Sequence, residues 1–153
     1  MADLLILPGR GAGPLYANTE DPADVVTWLQ PPPDPAPEGG IPYRHLASLG
    51  DAGTPSSFLY TVELDIAETD LLAVFDWYEK EHLPLLVACP GCLGGSRFQR
   101  LDGQSPNLLA AYRFERPEVN RTPDWEAARN TEWTLRVRPL FRASRRTMRR
   151  LLR

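Results

Sequence analysis

Residues Phe58–Pro84, FLYTVELDIAETDLLAVFDWYEKEHLP, decide the fold. Phe58, Tyr60, Val62, Leu64 and Ile66 alternate with Leu59, Thr61, Glu63 and Asp65. That period of two is the signature of a half-buried strand, because successive side chains point to opposite faces. The period then changes. Leu71, Val74, Phe75, Tyr78 and His82 recur at spacings of three and four and fall on one stripe of a helix. Thr69 and Asp70 suit its start, one as a hydroxyl cap and the other as an acid favoured by the helix dipole. Pro84 lacks an N–H and clashes with the turn before it, so the helix is expected to end close to His82.

Downstream the same reasoning continues. Pro90-Gly91 is a turn, Gly94 to Leu101 reads as a second strand, and Asp102-Gly103 is the next turn. Leu108 to Glu115 alternates as a third strand. Thr122-Pro123-Asp124 opens a short helix through Trp125, Ala127 and Ala128, and Trp133 to Val137 supplies a fourth strand. The order over residues 58 to 141 is β-α-β-β-α-β, a ferredoxin-like α+β unit. Large apolar residues occupy both faces of the four-strand sheet, more than one pair of helices covers. A homodimer through the sheet faces is therefore expected.

Residues 1 to 57 read as an irregular, Pro/Gly-rich extension. Leu4 to Leu7 suits a short strand, and Asp21-Pro22 opens a short helix carrying Val25, Val26, Trp28 and Leu29. Pro31 to Pro42 holds six prolines and two glycines and reads as an extended arm, followed by one more short strand at Tyr43 to Leu49. Gly9, Gly11 and Gly13 invite a phosphate loop, but their spacing fits neither the dinucleotide nor the mononucleotide fingerprint.

The chain carries 17 basic and 20 acidic residues, a net charge of -3, with no global field for nucleic acid. Six arginines and no acid fall in the tail, residues 142 to 153. That tail has no aromatic residue for base stacking and only Met148, Leu151 and Leu152 as an apolar edge for a membrane. It is expected to cover the acidic body of its own dimer. Neither nucleic acid nor membrane is expected as a partner, and with no targeting segment visible a cytoplasmic location is the plain reading. Cys89-Pro90-Gly91-Cys92 tempts a redox or metal assignment. It follows a helix, where the dipole disfavours a thiolate, and only His45 and His82 remain as further ligands, so no metal site is expected.

The segment Trp77-Tyr78-Glu79-Lys80-Glu81-His82-Leu83-Pro84, with Pro90-Gly91 and Arg97-Phe98 after it, resembles the W-Y-x-x-E-H-x-P…P-G…R-[YF] pattern of EthD-like proteins in the dimeric α+β barrel superfamily. Leu109-Ala110-Ala111-Tyr112 is similar to that family's third strand. The resemblance covers residues 58 to 141 and implies two such units closing a barrel. The superfamily includes isomerases, cyclases, cofactor-free monooxygenases, haem-using enzymes and proteins without a known reaction, so the fold does not select a function.

His82 is the leading candidate for chemistry. Burial beside Phe75 and Tyr78 would keep it neutral at pH 7, as a general base requires. The alternative is a structural histidine that bonds the backbone and fixes the Pro84 turn. Tyr78, one turn earlier, suits a hydrogen-bonding partner to the same ligand or a packed core residue. Trp77, Phe75 and Tyr112 are expected to line the substrate pocket. Arg97 suits either a ligand carboxylate or an ion pair between subunits, with the ion pair favoured. Glu81 is expected to pair with a strand arginine, Arg97 or Arg113. The functional expectation is a cofactor-free isomerase, cyclase or lyase acting on a small, polyketide-like or aromatic molecule, with His82 as base and Tyr78 beside it. The alternative is a non-catalytic dimeric ligand-binding or accessory protein.

Overall fold

The computed structural model describes residues 1–51 and 55–153. Its eight strands are β1 (Leu4–Pro8), β2 (Leu15–Asn18), β3 (Val25–Leu29), β4 (Ile41–Gly50), β5 (Phe58–Ile66), β6 (Cys92–Arg100), β7 (Leu108–Phe114) and β8 (Phe141–Leu151). They close one antiparallel barrel in the order β1-β3-β2-β8-β5-β7-β6-β4. The helices are α1 (Leu71–Trp77), α2 (Leu83–Val87), α3 (Pro123–Arg129) and α4 (Glu132–Val137).

The second half of the chain is the expected ferredoxin-like unit. β5 is central, paired with β7 on one side and β8 on the other. Leu59, Leu109, Ala111 and Phe98 point into the barrel, and Tyr60, Leu64, Tyr112 and Phe114 point outward onto the helices. The alternation read from Phe58 to Ile66 thus describes a strand buried on both faces.

The first half departs from expectation. Residues 1 to 57 are not irregular, since they hold four strands. Val25 to Leu29 is strand β3 and not a helix, paired with both β1 and β2. Val and Trp fit a pleated surface well, and here pairing on both sides overrides the Asp21-Pro22 helix signal. Of the three glycines, Gly9 turns the chain at φ 91°, and Gly11 and Gly13 serve packing. Gly11 donates its N–H to Thr27 Oγ1 at 2.7 Å, and a Cβ there would lie 2.7 Å from Leu7 Cδ2. A Cβ at Gly13 would lie 2.7 Å from Leu29 Cδ2. Only glycines let this loop press onto the outer face of β1 and β3.

These four strands complete the barrel from within one chain. The face of the second sheet that was expected to receive another copy is covered by the chain's own Leu4, Ile6, Tyr16, Val26, Trp28 and Tyr43. A homodimer closing the barrel through sheet faces is therefore corrected to an intramolecular closure. The seams are β2 against β8 and β4 against β6.

Three further boundaries move. Helix does not stop at His82: Tyr78–His82 forms a π-helical turn and α2 continues to Val87, with Pro84 in its first turn. Proline is tolerated there because it falls directly after the π-turn, where Leu83 N–H bonds Tyr78 O and the hydrogen-bond register of the helix changes. Trp133 to Val137 is helical because Thr131 caps α4, its Oγ1 accepting from Thr134 N–H at 3.1 Å. The fourth strand is instead β8, built from the Arg-rich tail. Its basic residues pair with acids of the same chain, Arg142 with Asp65 at 2.8 Å and Arg149 with Asp24 at 3.3 Å.

Candidate functional site

Helices α1 to α4 lie over the outward face of β5 and β7, and the layer between them gathers most of the residues singled out above. His82 is 9% exposed and stacks on Trp77, with ring centroids 4.0 Å apart and planes at 20°. Tyr78 meets the same imidazole edge-on at 5.4 Å. The π-turn offsets His82 from the regular stripe and carries it over Trp77. Trp77 spends its indole N–H on Thr134 Oγ1 at 3.1 Å, which fixes the plate on which the imidazole rests.

His82, Trp77 and Tyr112 line a small cavity of about 30 Å³ together with Tyr60, Trp125 and Thr134. His82 Nδ1 and the Tyr112 hydroxyl are both buried there without a hydrogen-bond partner among the described residues. The backbone hydrogen bond of a purely structural histidine is absent at Nδ1. Buried polar atoms are nearly always satisfied, so two unpartnered ones on a single cavity point to a polar guest.

Three arginines complete the lining: Arg129, Arg138 and Arg146. Among the described residues no carboxylate lines the cavity. Arg129 reaches Glu126 at 3.4 Å, whereas Arg138 donates to Arg129 O and Asn130 Oδ1, and Arg146 donates to Ser144 Oγ. Burial, and after it the charges of Arg129, Arg138, Arg146 and Arg97, push the His82 pKa down to about 3. The ring is neutral at pH 7 as expected, and the same field favours a negative charge beside it. Burial pushes the Tyr78 hydroxyl up to about 12 and that of Tyr112 well above its usual value, so both act as O–H donors.

Arg97, Phe75 and Tyr78 lie outside this lining, so Tyr78 touches His82 without facing the cavity. The Arg97 guanidinium sits over the Tyr78 ring at 4.4 Å and near Phe75 at 5.2 Å, a cation–π arrangement. It has no carboxylate partner among the described residues, and its Nη2 is buried without a partner. The expected ion pair is therefore corrected to aromatic packing: strand alternation puts Arg97 on the helix side. Glu81 pairs with neither strand arginine. Its Oε2 accepts from Thr131 Oγ1 at 2.7 Å and holds the start of α4.

Arg129, Arg138, Arg146, Trp125 and Thr134 were not anticipated as site residues. Arg146 was legible only by alternation, once the tail is read as a strand in which Arg146 opposes Val62 on the helix side. Both cysteines are free, and burial pushes Cys92 up to about 12, which suits an inert thiol. Among the described residues no group of three or more His, Cys, Asp or Glu is placed to hold a metal, and no helix is long and apolar enough to cross a membrane. Haem does not fit the cleft: the cavity is water-sized, far below the volume of a porphyrin, and Trp77 covers one face of the only histidine in it.

No protein-family model matches the chain, and no curated protein matches it. Solved structures do. An uncharacterized ferredoxin-fold protein of Listeria monocytogenes, related to antibiotic biosynthesis monooxygenases, matches with a TM-score of 0.63 at 11% identity, over 98% of this chain and 94% of that one. An anthrone oxidase-like protein matches with a TM-score of 0.67 at 10% identity, over 98% and 90%. A regulator of staphylococcal pathogenesis matches with a TM-score of 0.69 at 6% identity, over 98% and 99%. At these identities the likeness establishes a ferredoxin-like α+β fold of the kind found in monooxygenase-related proteins. The EthD-like resemblance finds no matching family model.

Proposed function

We propose that the chain binds an enolisable molecule of a few heavy atoms in the cleft between the helices and β5–β7, and that His82 removes a proton from it. The observation that carries this is the pairing, on one cavity, of a neutral imidazole with an unpartnered Nδ1 and a tyrosine hydroxyl with no partner, ringed by three arginines. In the step envisaged, the substrate's acidic C–H gives its proton to Nδ1, leaving an enolate and an imidazolium. Tyr112 O–H donates to the developing oxyanion, and Arg129, Arg138 and Arg146 stabilise its charge. A histidine held near pKa 3 is a weak base in isolation. The bound anion offsets the arginines and raises the ring's basicity as the proton moves. Isomerisation, elimination and oxygenation next to a carbonyl all share this first step. The cavity of about 30 Å³ takes only a few atoms, so a ketone as small as acetone is the first probe.

Exchange of the methyl protons of acetone in heavy water tests that step whatever follows it. Protein should accelerate exchange above the buffer rate, and His82→Ala should lose about 10²- to 10⁴-fold of the acceleration. A second reading, a non-catalytic ligand-binding or accessory protein, is favoured by the size of the cavity, about 30 Å³. A probe occupying roughly 10 to 15 Å³ is one water, so the closed cleft takes only a few atoms. Saturable acetone binding with no exchange, equal in wild type and His82→Ala, would select that reading.

A further inference from the structure

The inside of the barrel carries a second cavity, on the face of β5 and β7 opposite the helix cleft. It has a volume of about 190 Å³ and a wall of Ile6, Val26, Leu109 and Trp28. Interiors leave few voids larger than a water molecule, and an apolar engineered cavity of about 150 Å³ holds benzene. Trp28 and Tyr43 both stand edge-on to Phe98, with centroids 6.3 and 6.4 Å from it, so the space opens against an aromatic cluster. Edge-to-face partners of this kind suit a further ring.

The polar groups around this cavity set the chemistry of its guest. Tyr43 is 2% exposed and lines it, and burial pushes its hydroxyl up to about 12, so it stays an O–H donor. Asp24, Glu63, Arg145 and Arg149 stand on the same lining, two acids against two bases. Arg149 holds Asp24 at 3.3 Å, while the more exposed Arg145 reaches Asp24 only at 3.6 Å and Glu63 at 3.8 Å. The lining is thus balanced in charge and selects no ion. Of its charged members Arg145 is the most loosely held. We propose that the barrel lumen is a second small-molecule site, for a neutral single-ring phenol whose ring packs on Trp28 and whose hydroxyl bonds Tyr43.

The probes are p-cresol and toluene, titrated into the full chain and followed by amide chemical shifts. Both should bind saturably at one per chain, with shifts confined to Ile6, Val26, Trp28, Tyr43 and Leu109. Tyr43→Phe should weaken p-cresol about tenfold, the worth of one hydrogen bond, and leave toluene unchanged. Leu109→Trp fills the space and should abolish both. Should that variant not fold, the contrast between the two probes in Tyr43→Phe still decides. Failure of both probes to saturate overturns the proposal, as does equal weakening of both by Tyr43→Phe. Shifts falling on Leu86, Trp125 and Thr134 also overturn it, because they put the phenol in the helix cleft.

Discussion

His82 costs the folded chain something at low pH. Its folded pKa, pushed down to about 3, lies below the ordinary 6.5 of the unfolded chain. Between these values the unfolded state binds more protons than the folded one. Stability linked to His82 is therefore fully present above about pH 6.5 and is lost as pH falls from there towards 3. His82→Gln removes this linkage and keeps a ring-sized polar group on Trp77. Melting temperatures across that window should fall more steeply in wild type than in His82→Gln. Parallel curves would mean that the ring titrates normally and is not desolvated. The residue itself was legible in sequence, since the helical stripe aimed it at the sheet together with Tyr78 and beside Trp77. Its electrostatic setting was not. Arg129, Arg138 and Arg146 come from three separate segments, and only tertiary packing brings them to one cavity.

At the level of elements, α4 supplies one wall of the cleft through Thr134. Thr131 Oγ1 donates to Glu81 Oε2 at 2.7 Å, caps the helix through Thr134 N–H, and lies 2.9 Å from Thr134 Oγ1, which in turn accepts from Trp77. Loss of the cap and the carboxylate bond should together cost about 1–2 kcal/mol. Thr131→Val, nearly the same shape without the hydroxyl, is thus expected to lower the melting temperature by about 2–8 °C, and Thr131→Ser to restore it. An unchanged melt for Thr131→Val would show that these hydrogen bonds do not stabilise α4. Strands β5 and β7 and the start of α3 were readable because alternation and cap chemistry are local signals. Strand β3 and the exchange of Trp133–Val137 for β8 were not. Five residues with a helix-like start, or a run of arginines, become strands only when partners on both sides supply hydrogen bonds and acids.

The whole molecule repeats one topology twice. Numbered within its own half, each set of four strands has the order 4-1-3-2: β4-β1-β3-β2 in the first and β8-β5-β7-β6 in the second. The seams exchange equivalent strands, the second of each half pairing with the fourth of the other. In the first half, loops at residues 9 to 14 and 30 to 40 stand where the second half has helices, so no periodic sequence signal marks the repeat. The expected second copy is therefore present in the chain, without its helices. This arrangement has a consequence for association. With residues 1 to 50 in place, Leu59, Phe98, Leu109 and Ala111 are 1 to 4% exposed, and full-length protein at low micromolar concentration should scatter as a monomer of 17.2 kDa. A chain starting at Ser56 uncovers that apolar face together with the unpaired edges of β6 and β8. Exposed faces and edges of this kind drive self-association, so the truncated chain should run at twice its own mass or larger. Single substitutions of Phe98 or Leu109 to Lys should return it to monomer or unfold it, because a charge cannot be buried against a second copy of the same face. A monomeric, folded 56–153 fragment would show that the first half is an ornament on a self-sufficient unit. Full-length protein at twice 17.2 kDa would reinstate the homodimer, through a surface other than the sheet faces.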